Sequence, residues 1–318
     1  MPVRYGASWR AQTLVTLLLA AACSKPAAAP PKAQALHFDE ALWKPPLEAD
    51  IPNDSLGKSI KRGLYLMRFT PESLPKYVTS GLRCTSCHQV DGLKASAAPL
   101  TGAAARFPKY MPRSGAVIAL ADRVNYCFTR SLAGHAIPTG SREMVDILAY
   151  ITFISKDVPV GAHIAGTDGL ISMKDTLVGD TLRGRTKFEA TCVVCHQKDG
   201  SGNGPIPPLW GNRSYSIGAS MAREERAASF IWHNMPQTAP GTLTPQEAFD
   251  LSAYINSHAR PDSPGKEGDW PTGGAPPDVP YATKGHQPHR PPATLIPRPV
   301  EGSLVPNPPS VLTGSDKK

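Results

Sequence analysis

The 318-residue sequence predicts an all-α fold made of two tandem domains on one plan, and three observations predict it. The pentapeptides Cys84-Thr85-Ser86-Cys87-His88 and Cys192-Val193-Val194-Cys195-His196 repeat a single C-x-x-C-H pattern. Each is followed by a matching amphipathic helix, Asp146-Ile147-Leu148-Ala149-Tyr150-Ile151 and Asp250-Leu251-Ser252-Ala253-Tyr254-Ile255. Each is also preceded by a shorter helical stretch. Composition agrees. A charged share of 19% is too small for a coiled coil, and an apolar share of 41% is too large for wholesale disorder. No run of eighteen apolar residues follows the N-terminus, which excludes a polytopic membrane protein. The net charge is +8, yet no dense Lys/Arg tract or nucleic-acid motif accompanies it. The charge therefore points to an anionic small molecule or partner surface, with no nucleic acid.

The chain opens with Arg4 and Arg10, an apolar run from Leu14 to Ala22, and no acid before Asp39. That layout predicts a secretory signal over residues 1–22. Leu19-Ala20-Ala21-Ala22-Cys23 resembles a bacterial lipobox, so Cys23 is expected to be lipidated and residues 23–50 to form a tether. A soluble protein cleaved near Ala22 is the alternative. Either way the expectation is export to the periplasm, with contact to the membrane only through lipid on Cys23.

The first domain is expected over residues 51–158. It begins with a helix whose Leu56, Ile60, Leu64 and Met67 share one face as core. The first C-x-x-C-H motif follows, which is the covalent attachment signature of c-type haem. Two thiols on one helical turn add to the two vinyl groups of the porphyrin, and the adjoining histidine reaches the iron. Cys84, Cys87, Cys192 and Cys195 would thus attach two haems, with His88 and His196 as proximal ligands. A thioredoxin-like pair lacks its βαβ context here, and a zinc site would leave the histidines unexplained. Pro99-Leu100 and Pro208-Leu209 follow the two motifs at nearly equal spacing. Each proline is expected to supply the carbonyl that accepts from the histidine Nδ1–H. After the first closing helix comes a Gly-rich linker over 159–178, then a second domain over 179–262. Gly184 is expected to permit close helix crossing, with Phe188 filling beside it. Thr244, Pro245 and Glu247 form a capping box for the last helix. Residues 263–318 hold 13 prolines without helical or strand period, and are expected to be disordered or draped over the surface. His286-x-x-His289 in that tail is a weak metal hint.

The second axial ligands separate an electron carrier from a catalyst. Met235-Pro236 lies 39 residues after His196, with Met221 and His233 as rivals. The same count from His88 reaches Cys127, with Met111 and His135 as rivals. A thioether raises the potential of a haem, whereas an anionic thiolate stabilises Fe(III). Cys127 on the first iron would make that haem the poorer acceptor and the candidate catalytic site. Between Gly92 and His135 stand six cations (Lys94, Arg106, Lys109, Arg113, Arg123, Arg130) and one acid, Asp122. Such an excess favours a small multivalent anion, although some of these cations are expected to pair with haem carboxylates.

These residues resemble the dihaem c-type thiosulfate dehydrogenases. The likeness is carried by Cys84–His88, by Asp122-Arg123-Val124-Asn125-Tyr126-Cys127-Phe128-x-Arg130-Ser131 and by Phe230-Ile231-x-His233-Asn234-Met235-Pro236, and runs over residues 55–262. The resemblance implies two tandem cytochrome c domains and two covalently bound haem c groups. It implies thiosulfate oxidation to tetrathionate or the reverse reduction, with an external cytochrome or similar one-electron acceptor. Carried over, Cys127 becomes the catalytic thiolate ligand, Arg113, Arg123 and Ser131 the anion contacts, and Met235 the second distal ligand. The chain departs from many relatives at Arg83, where they have Asn, and from some at Asn234, where they have Lys. Two other readings stand beside this one: a plain dihaem electron carrier with Met111 on the first iron, and a cytochrome of the sulfur-oxidising system that conjugates sulfur onto a carrier protein.

Overall fold

Two helix pairs cross at a glycine, and the rest of the chain is arranged around them. A computed structural model describes residues 42–162, 164, 169–292 and 294–298. The expected signal segment, Cys23 and the end of the tail lie outside the described residues. Helix α1, Ser55–Arg68, is capped by Asp54, whose side chain accepts from the backbone N–H of Gly57. It packs on α3, Arg142–Phe153, capped by Ser141. Between them runs the short helix α2, Leu120–Tyr126. In the second half α4, Thr181–Thr191, and α5, Glu224–Asn234, both pack on α6, Pro245–Ser257. The box foreseen for α6 is present, since Thr244 accepts from Glu247 N at 3.2 Å and Glu247 Oε2 accepts from Thr244 N at 2.8 Å.

The sequence repeat is a repeat of contacts. A Cβ on Gly63 would overlap the carbonyl of Asp146 and crowd Tyr150, and one on Gly184 would overlap the carbonyl of Asp250 and crowd Tyr254. The residue before each glycine clamps the same aspartate: Arg62 Nε meets Asp146 at 2.7 Å, and Arg183 Nε meets Asp250 at 2.7 Å. Ile60, Leu64 and Met67 are buried as expected, but Leu56 is 58% exposed. It sits seven residues before the crossing at Gly63, about 10 Å along the helix axis.

The described residues belong to one compact unit. Tyr215, Ala219 and Ala222, expected within the second domain, join the apolar cluster of Leu74, Phe128 and Ile147 in the first. Within the expected linker, Met173 is buried and its N–H donates to Glu225. Strands are few. Lys109–Met111 and Ala116–Ile118 form an antiparallel hairpin, and Arg260–Pro261 pairs in parallel with Leu295–Ile296.

Of the two expectations for the tail, the draped one describes residues 263–292 and 294–298. Trp270, Val279 and Tyr281 close over Ile217 as an apolar cluster, and Arg298 donates to the carbonyls of Thr129 and Gly134. Proline-rich chain loses less freedom on ordering, so a few aromatic anchors suffice to hold it. His286 donates no metal signal here, as its Nε2 lies 2.8 Å from the Val279 carbonyl.

Replacing Gly63 or Gly184 with Ala is expected to cost about 1–3 kcal/mol each, because the obstacle is backbone and cannot swing aside. Denaturant midpoints of the two variants against the parent check this.

Candidate haem and substrate site

Cys84–Cys87 is a single helical turn held from outside by Thr70, a fully buried residue. The Thr70 hydroxyl donates to the Met67 carbonyl and accepts from Cys84 N, both at 3.0 Å. The turn opens onto a cavity whose lining is almost wholly apolar. Its apolar walls include Met67, Leu82, Leu100, Phe128 and Ile151, with Cys84, Cys87 and His88 at the rim of the chemistry. His88 Nδ1 hydrogen-bonds the carbonyl of Ala98, and His196 Nδ1 that of Pro207 at 3.1 Å. In both halves the acceptor is therefore the residue before the expected proline, not Pro99 or Pro208 itself. A peptide unit that ends on a proline nitrogen has a carbonyl and no N–H, so it can only accept.

Cys127 lines the same cavity. It stands where α2 widens into a π-helical turn, Cys127–Ser131, a local geometry that recurs at functional sites. Arg123 lies one helical turn earlier, so its side chain shares a face with Cys127. Its Nη1 donates to the thiol sulfur at 3.2 Å. His88 lines the same cavity and also favours the thiolate, so the two side chains nominated as axial ligands share one chamber. Burial pushes the Cys127 thiol up, but the Arg123 charge and the His88 contact outweigh it and bring it down to about 6. The attachment cysteines differ sharply. Burial holds Cys84 up at about 11 and Cys87 at about 12. Among these thiols, only Cys127 is favoured as an anion.

The rivals are elsewhere. Met111 is in the hairpin, packed on Ala116, Ile118 and Tyr126, and neither it nor His135 lines the cavity. Ser131 does line it. Arg113 does not: its Nε donates to Asp269 at 2.9 Å, its Nη2 to Gly218 O at 2.6 Å, and it lies 5.0 Å over the Trp270 ring. Arg130 reaches the other oxygen of Asp269 from the buried side. Lys94 donates to Gln89, and Lys109 lies over Phe107. Arg123 is the cation whose hydrogen bond to the thiol the structure shows. Arg83 also lines the cavity, with Nη2 on Glu72 at 2.5 Å.

In the second half, Cys192 and Met235 pack on one apolar cluster with Phe188 and Leu209. Met221 belongs instead to the first-half cluster, and His233 Nδ1 lies 2.8 Å from the Ser229 carbonyl. Burial lowers His196, keeping its imidazole neutral as iron ligation requires. Cys195 is exposed.

The donor sets fit haem c: each half offers two free thiols on a turn, a histidine braced at Nδ1 and a soft sulfur ligand. Arg260 adds a further sign. It is wholly buried over the Tyr215 ring, with Nε and Nη1 lacking a protein acceptor among the described residues. A buried guanidinium calls for an anion, and each haem brings two carboxylates. Sequence reading missed Asp269, Tyr281 and Arg260. An acid and aromatics interrupting a proline-rich stretch were the signal that it anchors rather than floats.

Comparisons agree with this arrangement. Residues 76–160 match the family described as SoxA/TsdA, cytochrome c domain, and residues 182–259 match cytochrome c. The chain is 40% identical over 226 residues to a thiosulfate dehydrogenase of Allochromatium vinosum, covering 68% of this chain and 83% of that protein. It is 38% identical over 264 residues to one of Psychrobacter arcticus, covering 80% of each. A solved structure, thiosulfate dehydrogenase (TsdBA) from Marichromatium purpuratum, superposes with a TM-score of 0.66 at 32% identity. That match covers 70% of this chain and 50% of the other, so the chain spans half the length of that protein. The two cytochrome c domains carry two covalently bound haem c groups.

Asp269→Asn is expected to destabilise the protein by about 3–5 kcal/mol, since it leaves two guanidinium groups facing one uncharged amide in the interior. Glu72→Gln, which loosens the exposed Arg83 pair, should change stability by less than about 1 kcal/mol. Chemical denaturation of the two variants compares them.

Proposed function

The chain belongs to the thiosulfate dehydrogenase family, and from that premise we propose that it joins two thiosulfates into tetrathionate at Cys127. The observation that carries the reading is the Cys127 thiol, lowered by Arg123 and facing His88 in an apolar cavity. His88 and Cys127 would hold the first iron, and His196 and Met235 the second. When bound, the haems supply one-electron acceptors, two of which match the two electrons released as the sulfur–sulfur bond forms. Everything else falls to the protein.

Arg123 has two tasks. Its charge keeps the Cys127 sulfur anionic, and its remaining N–H groups are free in chemistry to meet a sulfonate oxygen. Ser131, one turn further along the same wall, offers a hydroxyl donor to that oxyanion. Together they orient the substrate with its outer sulfur toward Cys127. The apolar lining beside Cys127 and Ser131 lowers the local dielectric and strengthens the charge–charge contact at the thiol. Arg113 acts at one remove in this reading. By sharing Asp269 with Arg130 it fixes the turn that carries Cys127 and Ser131.

Electrons leave to an external cytochrome or similar acceptor. An exported location, with lipid on Cys23, is supported by the basic start and apolar run of residues 1–22. The matched family description also names SoxA, which keeps the carrier-conjugating reading in view. A purified chain that turns over free thiosulfate without a carrier protein argues against it.

Cys127→Gly should abolish thiosulfate oxidation while the second haem still reduces normally. Turnover at the parent rate would remove the thiolate from the mechanism. Arg123→Gln should lower kcat/KM roughly 10- to 100-fold, the value of a charged hydrogen bond, in steady-state assays with a cytochrome acceptor.

A further inference from the structure

Ser96 lies in the loop between His88 and Pro99, two residues before the Ala98 carbonyl that braces His88. Its nearest polar partner is far off in sequence. The Ser96 hydroxyl donates to Asn234 Oδ1 at 2.9 Å, and Asn234 Nδ2 donates back to the Ser96 carbonyl at 2.9 Å. The second Nδ2 hydrogen goes to Phe230 O at 3.0 Å, so every polar atom of this amide is matched. Asn234 is 0% exposed, so its amide meets these protein partners and not bulk water. It is the last residue of α5, and Met235 follows as its C-cap.

We propose that Ser96 is a positioning residue for the second haem: through Asn234 it fixes the turn that presents Met235, and so links distal ligation in one half to the proximal loop of the other. The inference rests on Met235 as the ligand of the second iron. The physics is that of a buried carbonyl. Removing the Ser96 hydroxyl leaves Asn234 Oδ1 without a donor in a dry site, and the amide must then turn or draw the helix end with it. Either response moves the residue next in the chain. A hydrogen-bonded amide also resists the departure of Met235 when another ligand competes for the metal. The halves themselves stay docked, because Gly81 N still donates to Arg213 O at 2.7 Å and Tyr215 still fills the first-half core.

The test reads a substitution in the first half at the haem of the second. In the oxidised full-length holoprotein, the long-wavelength methionine–iron band is followed while imidazole is added. Met235→Gly should lack the band from the start; a band that survives there overturns the ligand assignment itself. Ser96→Ala should keep the band but lose it at roughly two- to tenfold lower imidazole, the worth of one buried hydrogen bond. Ser96→Thr, which restores a hydroxyl, should return to the parent value. The thiolate-ligated spectrum of the first haem should be unmoved in both Ser96 variants. An imidazole affinity in Ser96→Ala equal to the parent overturns the positioning role with the ligand assignment intact. A matching change at both haems also overturns it, as general loosening.

Discussion

The contact between Arg123 and Cys127 is the interaction on which the chemistry depends. A thiol inside an apolar cavity would ordinarily stay protonated and act as a small hydrophobe. The Arg123 guanidinium at 3.2 Å, with His88 beside it, reverses that preference. Its position costs the fold little, because residues four apart on a helix already meet. What the fold must supply is a helix that ends in the right place. The chain turns π-helical from Cys127, and Cys127 and Ser131, four residues apart, both line the cavity.

The two halves show how one scaffold carries two duties. Both cross helices at a glycine under an arginine-clamped aspartate, and both brace a histidine on the carbonyl before a proline. They differ at the residues proposed for the distal position, a thiol against a thioether. On that proposal, a single sulfur's charge would separate a site suited to substrate from one suited to passing electrons on. Sharing the scaffold also lets the halves share a core, as Tyr215 and Ala222 packing among first-half residues illustrate.

Much of this was legible from residues alone. Attachment motifs, capping box and glycine crossing depend on local chemistry, and local chemistry is written in spacing. Equal counts from His88 and His196 pointed to Cys127, which lines the first cavity, and to Met235, which packs on the cluster of Cys192. The misses are all non-local. Leu56 has the right phase but stands exposed, about 10 Å along the helix from the Gly63 crossing. Arg113 has the right charge but turns to Asp269, 156 residues away, which no periodicity could announce. The tail looked unstructured because prolines hide its order: it holds itself by scattered anchors such as Trp270 and Tyr281, not by a repeating face.

That tail also has a bearing on timing. Arg130 and Asp269 are 139 residues apart, and Arg298 reaches Thr129 from 169 residues away. Contacts between such distant points close late, since the intervening chain must first be ordered. Local helices and their attachment turns can assemble well before then. The buried side of the turn after the reactive sulfur, through Thr129 and Arg130, is thus secured only once the chain as far as Arg298 is in place.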